Sequence, residues 1–134
     1  MAKIADIEGI GSVFATKLEA AGIATTEALL STGASTQGRK DIAAKTGIAD
    51  GLILKWVNHA DLFRVKGIAS QYAELLEAAG VDTVVELAQR RSDNLFKAVT
   101  ETNALKNLVR VLPSESQISD WIAQAKALPR GVSH

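Results

Sequence analysis

The chain has 134 residues, no cysteine, and 15 lysines and arginines against 15 aspartates and glutamates. That length suits one domain or two small ones that share a core, and the lack of cysteine excludes disulfides and thiolate metal sites. The charge balance holds within each half and excludes a domain-wide basic field that would steer nucleic acid.

No apolar stretch approaches the length of a bilayer span, so no membrane role is expected and the expected location is cytoplasmic. Alanine, leucine, isoleucine and valine dominate, and the prolines are Pro113 and Pro129. Few residues therefore interrupt a helical period, which predicts an all-α fold.

Asp6 and Ile7 lead into a turn in which Gly9 and Gly11 permit backbone angles closed to other residues. Ser12 is placed to cap a helix that buries Phe14, Ala15, Leu18 and Ala21 and stops at Gly22, with Ile23 packing back. Thr25 or Thr26 starts a short helix through Leu29 and Leu30. The glycine and hydroxyl cluster from Ser31 to Gly38 reads as a loop. A third helix from Arg39 carries Ile42 and Ala43 and stops at Gly47. Beyond a degenerate turn at Thr46–Asp50, Leu52, Ile53, Trp56, Val57 and Ala60 share a helical face.

The order then recurs. Gly67, Ile68, Ser70, Ala73, Leu76, Glu77 and Gly80 stand where Gly9, Ile10, Ser12, Ala15, Leu18, Glu19 and Gly22 stood. Thr83 with Glu86 offers a capping box in the place of Thr25. A helix with Leu95, Phe96 and Val99 follows, with an insertion between Thr102 and Arg110, then Leu105, Leu108 and Val109. Ser114 and Gln117 form a second capping box, and Ile118, Trp121, Ile122 and Ala125 repeat the stripe around Trp56. Two halves of about four to five short helices, duplicated and packed as one compact body, are expected. The expected division is residues 1–63 and 64–129, with a frayed tail at 130–134.

Ile7, Gly9, Ile10, Gly11, Ala15, Leu18, Gly22 and Ile23 form a pattern that resembles the helix-hairpin-helix motif. Continued through Thr25, Leu29, Ile42, Gly47, Ile48 and Ile53, each half resembles the paired unit at the N-terminus of archaeal and eukaryotic recombinases. The tandem arrangement is similar to an uncharacterised bacterial family of such proteins. The resemblance implies contact of hairpin amides with phosphate, without sequence readout. By position those contacts come from Gly9, Ile10 and Gly11 in the first half, and from Gly67, Ile68 and Ala69 in the second.

The flanks separate the two turns. Asp6 and Glu8 would repel phosphate at the first, whereas Arg64 and Lys66 would attract it at the second. Val13 and Gln71 stand where binding members carry a cation, and Ala69 replaces the second glycine. The expected function is a non-catalytic binding module for DNA or RNA backbone, weak and centred on the second turn. The alternative is a protein-interaction module, including self-association through the oppositely charged turns.

No phosphate loop, nucleophile elbow or metal-ligand spacing is present, so no enzyme, cofactor or metal is expected. His59 and Asp61 lie two apart and would not share a helix face, and one or the other is read as satisfying backbone groups where the tryptophan helix ends. Trp56 and Trp121 read as core anchors, and Arg90–Arg91 and the Lys106–Arg110 pair as solvated helix faces.

Overall fold

A computed structural model of the chain describes residues 2–133. Among the described residues the fold is all-α, with eight α-helices, one 3-10 turn and a single isolated bridge between Lys3 and Thr25. The chain divides into two compact units, Met1–Asp61 with Gly131–His134 and Leu62–Arg130.

The first unit opens with the 3-10 turn Ile4–Asp6, followed by α1 (Ser12–Ala20), α2 (Thr26–Gly33), α3 (Thr36–Thr46) and α4 (Asp50–Leu62). Ile4, Ile7, Leu18, Leu29, Ile42, Ile53, Trp56 and Val57 are buried, which matches the apolar spacing of each helix. Gly22 closes α1 at φ 87, and the Ile23 amide reaches back to the Leu18 carbonyl at 2.9 Å. Thr25 is the residue that caps α2, its hydroxyl accepting from the Ala28 amide at 3.1 Å. Such a cap contributes about 1 kcal/mol.

The segment read as a loop, Ser31 to Gly38, is largely helical: only Ala34 and Ser35 separate α2 from α3. Its small residues serve close packing instead. A Cβ on Gly38 would stand 2.0 Å from the Thr32 carbonyl oxygen, and one on Gly33 would stand 2.6 Å from Val57 Cγ2. Ser35 accepts from the Gly38 amide at 3.0 Å and starts α3 three residues before Arg39 itself.

Arg39 is 4% exposed. Its guanidinium donates to the carbonyls of Gly33 (2.8 Å), Ala34 (3.1 Å) and Ser133 (2.7 Å) and to the Thr36 hydroxyl (3.2 Å). The first two belong to the C-terminal end of α2, where the helix dipole favours a cation. The third corrects the expectation of a frayed tail. Val132 is 3% exposed, and the Ser133 amide donates to the Ala34 carbonyl at 2.8 Å. His134 lies outside the described residues.

The second unit contains α5 (Ser70–Ala78), α6 (Val84–Ala88), α7 (Ser92–Lys106) and α8 (Glu115–Ala127). Its core joins Leu62, Val65, Leu75, Leu76, Leu87, Leu95, Ile118 and Trp121. Gly80 closes α5 at φ 99 as Gly22 closes α1. Of the two expected capping boxes, Ser114 with Gln117 is complete, at 3.0 and 2.8 Å. Thr83 caps α6 through the Glu86 amide at 3.4 Å.

The insertion near Thr102 does not break a helix. The residues expected to be inserted fall inside α7, which has 15 residues where α3 has 11 and which ends at Asn107 with φ 51. Leu105, near the end of α7, is 88% exposed.

Candidate nucleic-acid interface

The two turns have the same backbone. Gly9 and Gly67 adopt φ 91 and φ 100, a region that disfavours a side chain. Gly11 and Ala69 are both extended, at φ −81 and φ −98. Replacement of the second glycine by Ala69 therefore costs the turn nothing, because that position has negative φ.

Each turn is clamped by the tryptophan of its own unit. Trp56 packs on Phe14 with ring centroids 5.1 Å apart, and Trp121 packs on Tyr72 at 5.4 Å. The indole Nε1 atoms lie against the glycines, at 3.7 Å from a Cβ built on Gly9 and 2.8 Å from one built on Gly67. Both indoles are buried, as expected of core anchors.

Two of the amides assigned to phosphate are already engaged. The Ile10 amide donates to the Ile7 carbonyl at 3.1 Å, and the Ile68 amide to the Val65 carbonyl at 3.2 Å. These bonds close the turns, and both isoleucine side chains are buried. Neither residue can donate to an anion while its turn is intact. Gly9, Gly11, Gly67 and Ala69 remain at the exposed surface. In α1 the first helical bond is Ala15 to Gly11, and in α5 it is Ala73 to Ala69. The Val13 and Gln71 amides ahead of them therefore have no intrahelical acceptor.

The flanking charges differ in what they do. Asp6 accepts from the Lys3 amide at 3.0 Å and so caps the 3-10 turn, while Glu8 is exposed. Arg64 is half-buried and donates to the Pro129 carbonyl at 2.8 Å, which occupies part of the guanidinium expected to face phosphate. Lys66 is exposed, and its backbone is held at both ends by one side chain: Gln124 accepts from the Lys66 amide at 2.8 Å and donates to its carbonyl at 3.1 Å. Lys66 thus presents its ammonium from a fixed backbone. Gln124 lies one turn beyond Trp121 on α8, and the sequence shows no signal that marks it for this role.

The other basic residues separate into engaged and open. Arg90 donates to the Gly80 carbonyl at 3.1 Å, and Arg91 pairs with Asp93 at 3.0 Å. The Asn94 amide, donating at 2.7 Å, and then the nearby Arg91 hold the Asp93 carboxyl below its ordinary range. Lys106 ends α7, and Arg110 stands in the following loop rather than one turn further on the helix. Both are exposed.

His59 and Asp61 lie inside the last turn of α4 and are buried, since the helix runs on to Leu62. Among the described residues no three histidine, aspartate or glutamate side chains gather where they could hold a metal ion. No helix among them is long and apolar enough to cross a membrane.

Residues 8–128 match the family model described as "Domain of unknown function (DUF4332)", and the chain belongs to that family. No curated protein and no solved structure matches the chain.

Proposed function

We propose that this protein is a non-catalytic binding module that holds the backbone of DNA or RNA weakly, without reading sequence, through the turn from Val65 to Ala69. One observation carries the reading: Gly67 and Ala69 adopt the backbone of Gly9 and Gly11, with an exposed lysine at Lys66 where the first turn has Glu8. Lys66 and the Gly67, Ala69 and Gln71 amides supply donors to phosphate, with Arg64 adding positive charge. Both turns are read as helix-hairpin-helix elements and the two units as copies of one ancestor. The matched glycine conformations and the matched tryptophan clamps support that.

A turn with one competent cation set contacts few phosphates. Each contact contributes a slope of about −0.9 in log K against log salt on duplex DNA, so the proposed binding is micromolar or weaker and salt-sensitive. Fluorescence anisotropy with short single- and double-stranded oligonucleotides across a salt series tests it, and no binding at low salt removes it.

A second reading, a protein-interaction module in a cytoplasmic setting, is favoured by Val13. This side chain is 66% exposed beside the first turn, where a phosphate-binding turn would carry a cation. Sedimentation that depends on concentration and is abolished by Val13→Asp would support it.

A further inference from the structure

The loop between α7 and α8 is fixed more firmly than its exposure requires. Asn103 accepts from the amides of Leu108 (2.8 Å) and Val109 (2.9 Å) and donates to the Val109 carbonyl at 3.1 Å. Asn107 turns the chain at φ 51, and the Tyr72 hydroxyl donates to the Val111 carbonyl at 3.1 Å. This framework presents outward two cations, Lys106 and Arg110, and two apolar side chains, Leu105 and Val111, the last 73% exposed. No acidic residue lies between Glu101 and Glu115. Among the described residues neither cation has an ionic partner.

The same framework attaches the loop to the turn at Lys66. Gly67 and Tyr72 both lie against Trp121, and Tyr72 then bonds the loop. In the first unit the ring on the tryptophan is Phe14, which has no hydroxyl to make such a bond. The extra oxygen therefore belongs to the unit whose turn carries the lysine.

We infer that the segment from Lys106, at the end of α7, through the loop to Pro113 is a second contact element for nucleic acid, so that the unit offers a two-point surface. Lys66 and the turn amides form one point; Arg110 and Lys106, with Val111 against the sugar edge, form the other. The inference rests on the function proposed above. Preformed backbone at both points removes an ordering cost that a mobile loop would impose on binding. The absence of acidic residues between the loop's flanks matches a polyanion, and Val111 matches the apolar edge of a sugar.

The test is anisotropy of a labelled duplex with the full chain across a salt series, for wild type, Lys66→Gln, Arg110→Gln and Tyr72→Phe. Lys66→Gln and Arg110→Gln should each reduce the slope by about 0.9 and weaken binding by up to about tenfold at low salt. Tyr72→Phe should keep the slope and weaken binding about two- to fivefold, through loss of a fixed loop. The glutamine changes lie at exposed side chains, so circular dichroism should not change. If Arg110→Gln binds as wild type while Lys66→Gln is weakened, the loop is not a contact and the turn reading stands. If the wild type does not bind at low salt, both fail. Retention on phosphatidylserine vesicles without binding to oligonucleotides also overturns the inference, in favour of a lipid surface.

Discussion

The indole Nε1 of Trp121 stands 2.8 Å from the position a Cβ would take on Gly67, whereas Trp56 leaves 3.7 Å at Gly9. The clamp is tighter in the unit that carries Lys66. Alanine at either glycine is strained by the positive φ, which costs about 1–2 kcal/mol. At Gly67 alanine must also displace the indole. Gly67→Ala should therefore destabilise the second unit by about 2–4 kcal/mol and more than Gly9→Ala destabilises the first. Each unit holds one of the two tryptophans. Urea titrations of Trp56→Phe and Trp121→Phe backgrounds would follow each unit separately.

Gly38→Ala should be more damaging, because the obstructing atom is the Thr32 carbonyl oxygen, 2.0 Å away, and backbone cannot swing aside as a side chain can. A loss of about 3 kcal/mol or more is expected, confined to the first unit. Gly11→Ala is the control. Its position has ordinary φ and nothing within 4 Å, and the second unit already has Ala69 there. It should change stability by less than about 0.5 kcal/mol.

Arg39→Met removes four hydrogen bonds and takes the guanidinium donor from the carbonyls of Gly33 and Ser133, while the Ala34 carbonyl keeps only the Ser133 amide. The expected loss is about 2–4 kcal/mol. Arg39→Lys keeps the charge and should recover only part, because one ammonium cannot span acceptors on both α2 and the tail. Amide hydrogen exchange at Ser133 should accelerate in both variants, since the tail loses its anchor.

Much of the fold was legible in these residues, and the misses have a common cause. Glycine stops at Gly22, Gly47 and Gly80 and the apolar stripes around Trp56 and Trp121 depend on local geometry, so the helices follow from them. Ser31–Gly38 misled because glycine, serine and threonine suit both a loop and a close helix crossing, and only the packing against Val57 and Thr32 decides which. At the candidate site the sequence pointed to Lys66 and the turn glycines. It could not show that the Ile10 and Ile68 amides close their own turns, that Arg64 reaches Pro129, or that Gln124 holds Lys66, because these depend on bonds the motif does not encode. Phe14 against Tyr72 was the one visible trace of the loop contact.

Two exposed carboxyls are lowered in the folded chain. Glu27 is held below its ordinary value by the Thr26 hydroxyl at 2.7 Å, and Asp93 by the Asn94 amide at 2.7 Å. A carboxyl depressed in the folded state adds stability above its unfolded pKa, and that stability is lost as pH falls through the folded pKa. Carboxyl-carbon NMR should show both titrating below the ordinary values. Asn94→Pro, which removes the amide donor, should return Asp93 toward its ordinary range.

A reciprocal charge exchange distinguishes phosphate contact at the second turn from contact at the first. Binding of a labelled duplex at low salt should be abolished by Lys66→Glu and left unchanged or slightly strengthened by Glu8→Lys. Binding of Lys66→Glu at the wild-type level, or binding by Glu8→Lys alone that the wild type lacks, would place the contact elsewhere than the second turn.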